Sequence, residues 1–155
     1  MKKFMTILLV SVLAGCLGSG PKPAVNWTIE ADSDAKVASA TVCAPYGGQR
    51  IAVLRPDGSI AFDAFNAFAA APGLIIKDAL VGRRGEGSLV VRRIALDCRS
   101  AGRRNALVEL ELTVGGATGK GSASEPTPDG NYTAAFSRAF AEALARAREG
   151  LASEK

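Results

Sequence analysis

The alternating stretch at residues 106–114 is the clearest strand in this sequence, and it limits the folds that the chain can adopt. Its apolar side chains fall on one face and its polar side chains on the other: Val108, Leu110, Leu112 and Val114 against Glu109, Glu111 and Thr113. Because neighbouring side chains of a strand point to opposite faces, the pattern predicts a strand with one face on a core and one in water. The chain must therefore build a sheet whose apolar face is covered by other elements.

Other strands are predicted around it. Residues 51–54 and 59–62 flank the sequence Arg-Pro-Asp-Gly, in which proline presets φ and glycine accepts a positive φ, so this segment predicts a β-hairpin. Residues 62–68 are expected to be an aromatic-dense link. Strands are also predicted at 25–30, 37–43 and 89–98, with a weak edge strand of small residues at 118–124. Arg92-Arg93 interrupts the pattern of 89–98, which predicts either a bulge or an edge position.

Two helices complete the predicted fold. Pro72 is expected to be the first residue of one helix and Gly82 to cap its end. Its predicted buried face is Ile75, Ile76, Ala79 and Leu80. The second runs from Tyr132 to about residue 151, capped by Asp129 or Asn131. Its predicted buried face is Tyr132, Phe136, Phe140, Ala143, Leu144, Ala147 and Leu151. The elements predict a single α+β domain with a mostly antiparallel mixed sheet and two helices packed on one face.

The N-terminus has the pattern of a secretory signal. Lys2 and Lys3 precede an apolar run at residues 4–13, which is shorter than the roughly 20 residues of a membrane span. The following Leu-Ala-Gly-Cys, ending at Cys16, resembles the bacterial lipobox. The resemblance implies cleavage before Cys16, a diacylglycerol on its thiol and an acyl chain on its new amine. The alternatives are an ordinary signal peptide with a chance cysteine and an uncleaved anchor.

These features divide the chain into a lipoprotein signal peptide at 1–15, a lipidated tether at 16–24 and a domain at 25–152. Several acyl chains hold a protein stably at a bilayer, whereas one holds it only marginally. Leu17 stands where an aspartate would signal retention in the inner membrane of enteric bacteria. By that resemblance the domain is expected at the periplasmic face of the outer membrane.

Composition argues against several classes of function. Removing 15 residues from 155 leaves 140, and loss of Lys2 and Lys3 lowers the net charge from +4 to +2, too little for the basic stripe of a nucleic-acid-binding protein. The chain contains no histidine, and no cluster of Cys, His and Asp has the spacing of metal ligands. Residues 115–120 do not match the phosphate-binding loop motif. Val114 stands where the motif needs its first glycine, and Gly121 stands where it needs Ser or Thr after the lysine. We therefore expect no catalytic residues, no metal and no cofactor beyond the acyl groups on Cys16.

Two further cysteines, Cys43 and Cys98, would lie in an oxidising compartment. A bridge between them would close a loop of about 55 residues and stabilise the fold by about 4 kcal/mol. The alternative is two separate buried thiols. The sequence leaves both alternatives open, because it does not place the two Cα atoms within the roughly 7 Å that a bridge needs.

Aromatic and arginine side chains are the candidates for contact with a partner. Phe62, Phe65 and Phe68 do not fit together on the buried face of one short strand, so one or two of them are expected at the surface. Seven arginines lie between positions 83 and 104, at Arg83, Arg84, Arg92, Arg93, Arg99, Arg103 and Arg104. Protection of strand edges and loop tips is favoured for them over binding of lipid headgroups or an acidic partner.

A family resemblance covers about residues 25–150. It is carried by Ala44-Pro45-Tyr46, Arg50-Ile51, Asp57-Gly58-Ser59-Ile60, Asn66-Ala67-Phe68-Ala69, Pro72 and the alanine-rich last helix. Together these resemble the ABC-type transport auxiliary lipoprotein family of the PqiC type, although Phe68 replaces the usual tryptophan and the chain is shorter than typical members.

The resemblance implies a non-enzymatic lipoprotein that docks a periplasmic MCE-domain protein and its ABC transporter subunits to the outer membrane for lipid transport. Some relatives are homo-oligomers. The segment at 45–72 is expected to contact the partner, through Tyr46, Arg50, Phe65, Asn66 and Phe68. Two other hypotheses are an outer-membrane assembly lipoprotein that scaffolds a β-barrel and a small envelope hydrolase, the latter disfavoured by the missing histidine.

Overall fold

The seven strands found in the described residues lie in one sheet. The computed structural model describes residues 25–30, 36–82, 85–127 and 130–153. The strands are β1 (Val25–Trp27), β2 (Ser39–Val42), β3 (Arg50–Leu54), β4 (Ile60–Phe68), β5 (Ser88–Asp97), β6 (Asn105–Val114) and β7 (Ala117–Pro126). The helices are α1 (Pro72–Leu80), between β4 and β5, and α2 (Tyr132–Ser153), after β7.

The sheet is mixed, in the order β1-β4-β3-β5-β6-β7, with β2 also paired to β5. The pairs β3–β4, β5–β6 and β6–β7 are antiparallel and contain the long strands, whereas β1–β4, β2–β5 and β3–β5 are short parallel pairs. Strands β2 and β3 follow one another along the same side of β5. The predicted α+β class and the predicted hairpin are confirmed, but parallel pairing is more extensive than the sequence indicated.

Strand β5 contains the bulge that Arg92-Arg93 predicted. Its pairing with β6 shifts register between Val91 and Arg93. The alternative of an edge position is wrong, because β5 pairs with β2, β3 and β6 and lies inside the sheet. Strand β7 is at the edge, as predicted.

Both helices pack on the same face of the sheet. Helix α2 lies over β6 and β7, and α1 lies over β2, where Gly73 faces Val42. The core between these layers is apolar, and the rings of Phe68 and Phe136 meet edge to face within it, with centroids 5.3 Å apart. The opposite face of β6 presents Glu109 and Glu111, as the alternation predicted.

The helix boundaries follow the sequence with one exception. Pro72 begins α1, and the side-chain oxygen of Asn131 accepts the N–H of Ala134 at 3.2 Å at the start of α2. Gly82 does not cap α1. Val81 does so in an extended conformation, with its N–H donating to the carbonyl of Lys77, because it leaves the helix to form a bridge with Val37.

Some predictions fall outside the described residues. These are the signal peptide, Cys16, the tether at 16–24, Arg83, Arg84 and the alternative cap Asp129. Strand β1 ends at Trp27, three residues earlier than predicted. Within the described part of the chain, no helix combines the length and apolar character needed to cross a bilayer.

Candidate docking surface

Strand β4 carries an exposed apolar surface. In the described part of the chain, β1 pairs only with residues 66–68 of β4, which leaves residues 60–62 with a strand partner, β3, on one side only. Ile60, Phe62 and Phe65 are 41%, 44% and 59% exposed, and Val25, opposite Asn66, is 48% exposed. We call Val25, Ile60, Phe62 and Phe65 the β4 edge patch. Among the described residues it holds four of the five exposed large hydrophobic side chains, the other being Leu74 on α1.

A bulge in β4 holds Phe65 outwards. Ala52 of β3 is opposite Phe62, whereas Arg50, two residues earlier, is opposite Ala67, so residues 63–66 form extra chain on the β4 side. The Asp63 carboxylate closes this bulge by accepting the backbone N–H groups of Phe65 at 2.8 Å and Asn66 at 3.0 Å. Phe65 is therefore displayed by a hydrogen-bonded turn.

Asn66 fixes the bulge to β1. Its Nδ2 donates to Asp63 Oδ2 at 3.0 Å, and its Oδ1 accepts the indole N–H of Trp27 at 3.0 Å. The Trp27 ring in turn contacts Tyr132 at the start of α2, with centroids 5.1 Å apart. Asn66 thus positions the patch and is itself half-buried.

The predicted contact residues separate into two groups. Arg50 and Phe65 are exposed, and Arg50 lies beside Asn66 because its strand partner is Ala67. Phe68 is 1% exposed against Phe136, and Tyr46 is 7% exposed, with its hydroxyl accepting from Arg93 Nε at 3.3 Å. Burial removes Phe68 and Tyr46 from the predicted contact set, because their rings are part of the folded core.

Two members of the β4 edge patch were missed by the sequence analysis. Val25 was predicted only as the first residue of the strand at 25–30, and Ile60 was treated only as part of the hairpin. Val25 is exposed because β1 is a three-residue edge strand. The sequence did contain a signal for the exposure of Ile60. It directly follows the turn residue Ser59 and is the first residue of its strand.

The two cysteines in the described part of the chain, Cys43 and Cys98, are free thiols. The Cys43 N–H donates to the carbonyl of Val91, and the Cys98 N–H donates to the carbonyl of Leu54, which lies opposite Asp97. Six residues of strand separate Val91 from Asp97, about 20 Å, far beyond the roughly 7 Å of a disulfide. The structure therefore favours two separate thiols, and burial raises the pKa of Cys98 so that it remains a neutral thiol.

Most described arginines of the basic segment have acidic partners. Ion pairs join Arg92 to Glu111 at 2.6 Å, Arg93 to Glu109 at 2.9 Å and Arg99 to Asp97 at 2.7 Å. The hydrogen bonds from Arg92 lower the pKa of Glu111, and those from Arg99 lower the pKa of Asp97. Arg92 and Arg93 lie on β5 inside the sheet and therefore do not protect a strand edge, whereas Arg99 lies in the loop between β5 and β6. Among the described residues, no group of three His, Cys, Asp or Glu side chains is placed to hold a metal ion.

Comparison with known proteins gives the fold. No family model and no curated protein sequence matches this chain. A crystal structure of a Xanthomonas campestris protein assigned to family DUF330 is similar over 85% of this chain and 86% of its own, with 19% identity and a TM-score of 0.57. A crystal structure of an uncharacterised protein is similar over 83% of this chain and 99% of its own, with 12% identity and a TM-score of 0.57. At these identities the likeness extends to the architecture alone.

Proposed function

We propose that this protein is a non-catalytic auxiliary lipoprotein of an MCE-type ABC lipid transport system, anchored at the periplasmic face of the outer membrane. Cys16 provides the anchor, and the β4 edge patch docks the MCE-domain partner. The lipobox-like sequence and the family resemblance support the compartment and the partner class. The single observation that supports docking is the concentration of exposed large apolar side chains at β4, since such patches mark interaction sites.

The position of the patch suits a tethering role. Residues 16–24 span at most about 30 Å when fully extended, because each residue adds about 3.3–3.6 Å. They lead into Val25, which belongs to the β4 edge patch. A partner bound at this patch would be held close to the bilayer by a short connection. The exposed strand edge also offers backbone donors and acceptors to an added strand.

Replacing Cys16 by serine tests the anchor. We expect Cys16→Ser to abolish incorporation of radiolabelled palmitate in the native host and to release the domain from the membrane fraction, because serine offers no thiol for lipid transfer. Cys43→Ser, at a thiol within the folded domain, is the matched control and should keep full labelling. Equal palmitate labelling of the Cys16→Ser and unsubstituted proteins would contradict the proposal.

Replacing Phe65 by aspartate tests the docking surface. Capture of the tagged protein from solubilised envelope should recover at least about tenfold less MCE-domain subunit with Phe65→Asp, since a central aromatic contact contributes about 2 kcal/mol or more. Leu74→Asp is the control, because Leu74 is similarly exposed, at 56%, but lies on α1. Circular dichroism should show both variants folded.

The composition of the captured complex separates the candidate functions. Recovery of MCE or ABC subunits that falls only with Phe65→Asp supports the docking function. Recovery of a β-barrel protein instead would favour the scaffold hypothesis. Capture of neither class, or equal losses with both variants, would rule out the β4 edge patch as the MCE docking surface.

A further inference from the structure

A pocket lies at the end of the sheet where β5 connects to β6. Its volume is about 640 Å³, which is within the range of small-ligand sites. We call it the arginine pocket, because two arginines of the basic segment line it. The lining residues that matter here are Val53, Cys98, Ser100, Arg103, Arg104 and Asn105. Arg103 and Arg104 differ from Arg92, Arg93 and Arg99, because no described acidic side chain forms an ion pair with either of them.

Hydrogen bonds hold the backbone of both arginines in place. The Arg103 N–H donates to the carbonyl of Ser100 at 3.2 Å, across a turn in which Gly102 has a φ of +72°. The Arg104 carbonyl accepts the backbone N–H of Thr127 at 3.0 Å and the hydroxyl of the same residue at 2.8 Å. Thr127 directly follows β7 and is buried. The loop that carries the two arginines is therefore fixed to the end of β7, and the pocket is part of the fold.

The lining of the arginine pocket is positively charged. Among the described residues that form it, Arg103 and Arg104 are cations and none is an aspartate or a glutamate. Arg104 Nη1 donates to the Tyr132 hydroxyl at 3.5 Å, which is a long contact with an uncharged group. Cys98 is also uncharged, because burial raises the pKa of its thiol. These neighbours leave the charges of both arginines uncompensated within the lining.

Two carboxylates outside the lining interact electrostatically with it, Asp63 with Arg104 and Asp97 with Cys98. Both already have donors of their own. Asp97 forms its ion pair with Arg99, and Asp63 accepts the N–H groups that close the β4 bulge. With Arg99 and Arg103 included, three guanidinium groups stand against two carboxylates, so this end of the sheet keeps one net positive charge.

Phosphate is the anion that these side chains suit best. Each guanidinium presents a planar fork of N–H donors that matches two oxygens of a phosphate or a carboxylate. A phosphate monoester carries about −1.5 to −2 charges at neutral pH, which matches two arginines, whereas a carboxylate carries a single charge. Ser100 and Asn105 add a hydroxyl and an amide, which donate hydrogen bonds without charge. The volume of the pocket also leaves room for the group to which the phosphate is attached.

We propose that the arginine pocket binds a phosphate monoester, with the phosphate group between Arg103 and Arg104. This chemistry has two sources, a soluble organic phosphate and the headgroup of phosphatidic acid. The site goes beyond docking, because it gives the domain a ligand of its own whichever protein binds the β4 edge patch. Its lining shares no residue with that patch, so the two sites can be tested separately.

Calorimetric titration of the full-length protein, purified in detergent from its native envelope, tests the pocket. The probes are glycerol phosphate, dihexanoyl phosphatidic acid, dihexanoyl phosphatidylcholine and acetate. We expect a phosphate monoester to bind at least about tenfold more tightly than phosphatidylcholine or acetate, because it accepts charge-assisted hydrogen bonds from both arginines. Binding of glycerol phosphate identifies a site for soluble phosphates, and binding of phosphatidic acid alone identifies a lipid headgroup site.

Three variants locate the binding. Arg103→Gln should weaken binding of the phosphate monoester at least about tenfold, because it removes a charge-assisted contact from an exposed side chain. Arg103→Lys keeps the charge but loses the planar fork, so binding should weaken severalfold. Arg55→Gln is the matched control, because Arg55 is an exposed arginine that follows β3 at the same end of the sheet but does not line the pocket. Its affinity should stay within about twofold of the unsubstituted protein, since salt screens charges that do not touch the ligand.

Four results would each overturn the proposal. Neither phosphate monoester binds, acetate or phosphatidylcholine binds as tightly as they do, Arg103→Gln leaves the affinity unchanged, or Arg55→Gln weakens binding as much as Arg103→Gln. The last result would show a general attraction to positive charge instead of a site. Circular dichroism should show all three variants folded. Failure of MCE capture would not bear on this result, because the titration uses no partner protein.

Discussion

Replacing Gly121 by valine is expected to cost about 3 kcal/mol or more of the free energy of unfolding, at the upper end of the cost of overpacking. Gly121 lies on β7 beneath α2, where a Cβ would be 1.7 Å from the carbonyl oxygen of Ala143 and 2.7 Å from its carbon. These are backbone atoms of a helix, so relief requires that α2 move away from the sheet. Such a movement would loosen the packing of Phe136 and Phe140, two side chains of α2 that are fully buried against the sheet. Urea unfolding followed by far-ultraviolet circular dichroism measures the loss.

Ser122→Val is the matched control for this change. Ser122 follows Gly121 on the same strand but is exposed on the opposite face, opposite Glu109. We expect its unfolding free energy to stay within about 0.5 kcal/mol of the unsubstituted protein, because valine suits a strand and meets no helix there. Comparable stability of Gly121→Val and Ser122→Val would contradict the close packing of α2 on β7.

The same residues show how far strand patterns predict a fold. Gly119, Gly121 and Ala123 alternate with exposed residues on β7, which was predicted only as a weak edge strand of small residues and does lie at the edge. The pattern was treated as weak because the residues are small. These residues are small because α2 lies directly on them. A Cβ on Gly119 would lie 1.8 Å from the carbonyl oxygen of Ala147. Alternation predicts the face of a residue but not the distance to the element that covers it.

It was harder to predict which strands pair with each other than to predict where the strands and helices lie in the sequence. The Arg-Pro-Asp-Gly turn fixes β3 against β4 because only a few residues separate them. The parallel pairing of β2 and β3 with the same side of β5 joins distant segments, and each local pattern is compatible with other partners. The long strand β6 was predicted with correct faces, since the seven residues of alternation at 108–114 leave little choice.

The sites were predicted less well than the fold, for physical reasons. The β4 bulge depends on one side chain, Asp63, bonding to backbone two and three residues ahead, so residues 62–68 resembled a link. The bulge changes which residues share a face, and Phe68 points inwards as a result.

Phe65, which lies within this bulge, and Phe68, two residues beyond it, should differ in how much their substitution destabilises the fold. We expect Phe68→Ala to lose about 3–5 kcal/mol of unfolding free energy, because it removes a buried ring from its contact with Phe136 and leaves a cavity. Phe65→Ala should change that free energy by no more than about 0.5 kcal/mol, because the ring is 59% exposed. Urea unfolding of both variants under the same conditions measures the difference between their free energies of unfolding.

Partner capture should give the reverse order. Phe65→Ala removes the most exposed ring of the β4 edge patch and should reduce recovery of the MCE-domain partner while the domain stays folded. Phe68→Leu keeps a large apolar side chain in the core, so the domain remains folded and recovery should be unchanged. A folded Phe68→Leu protein that loses its partner would place position 68 in the contact after all. Equal destabilisation by Phe65→Ala and Phe68→Ala would contradict the exposure of Phe65 and the burial of Phe68.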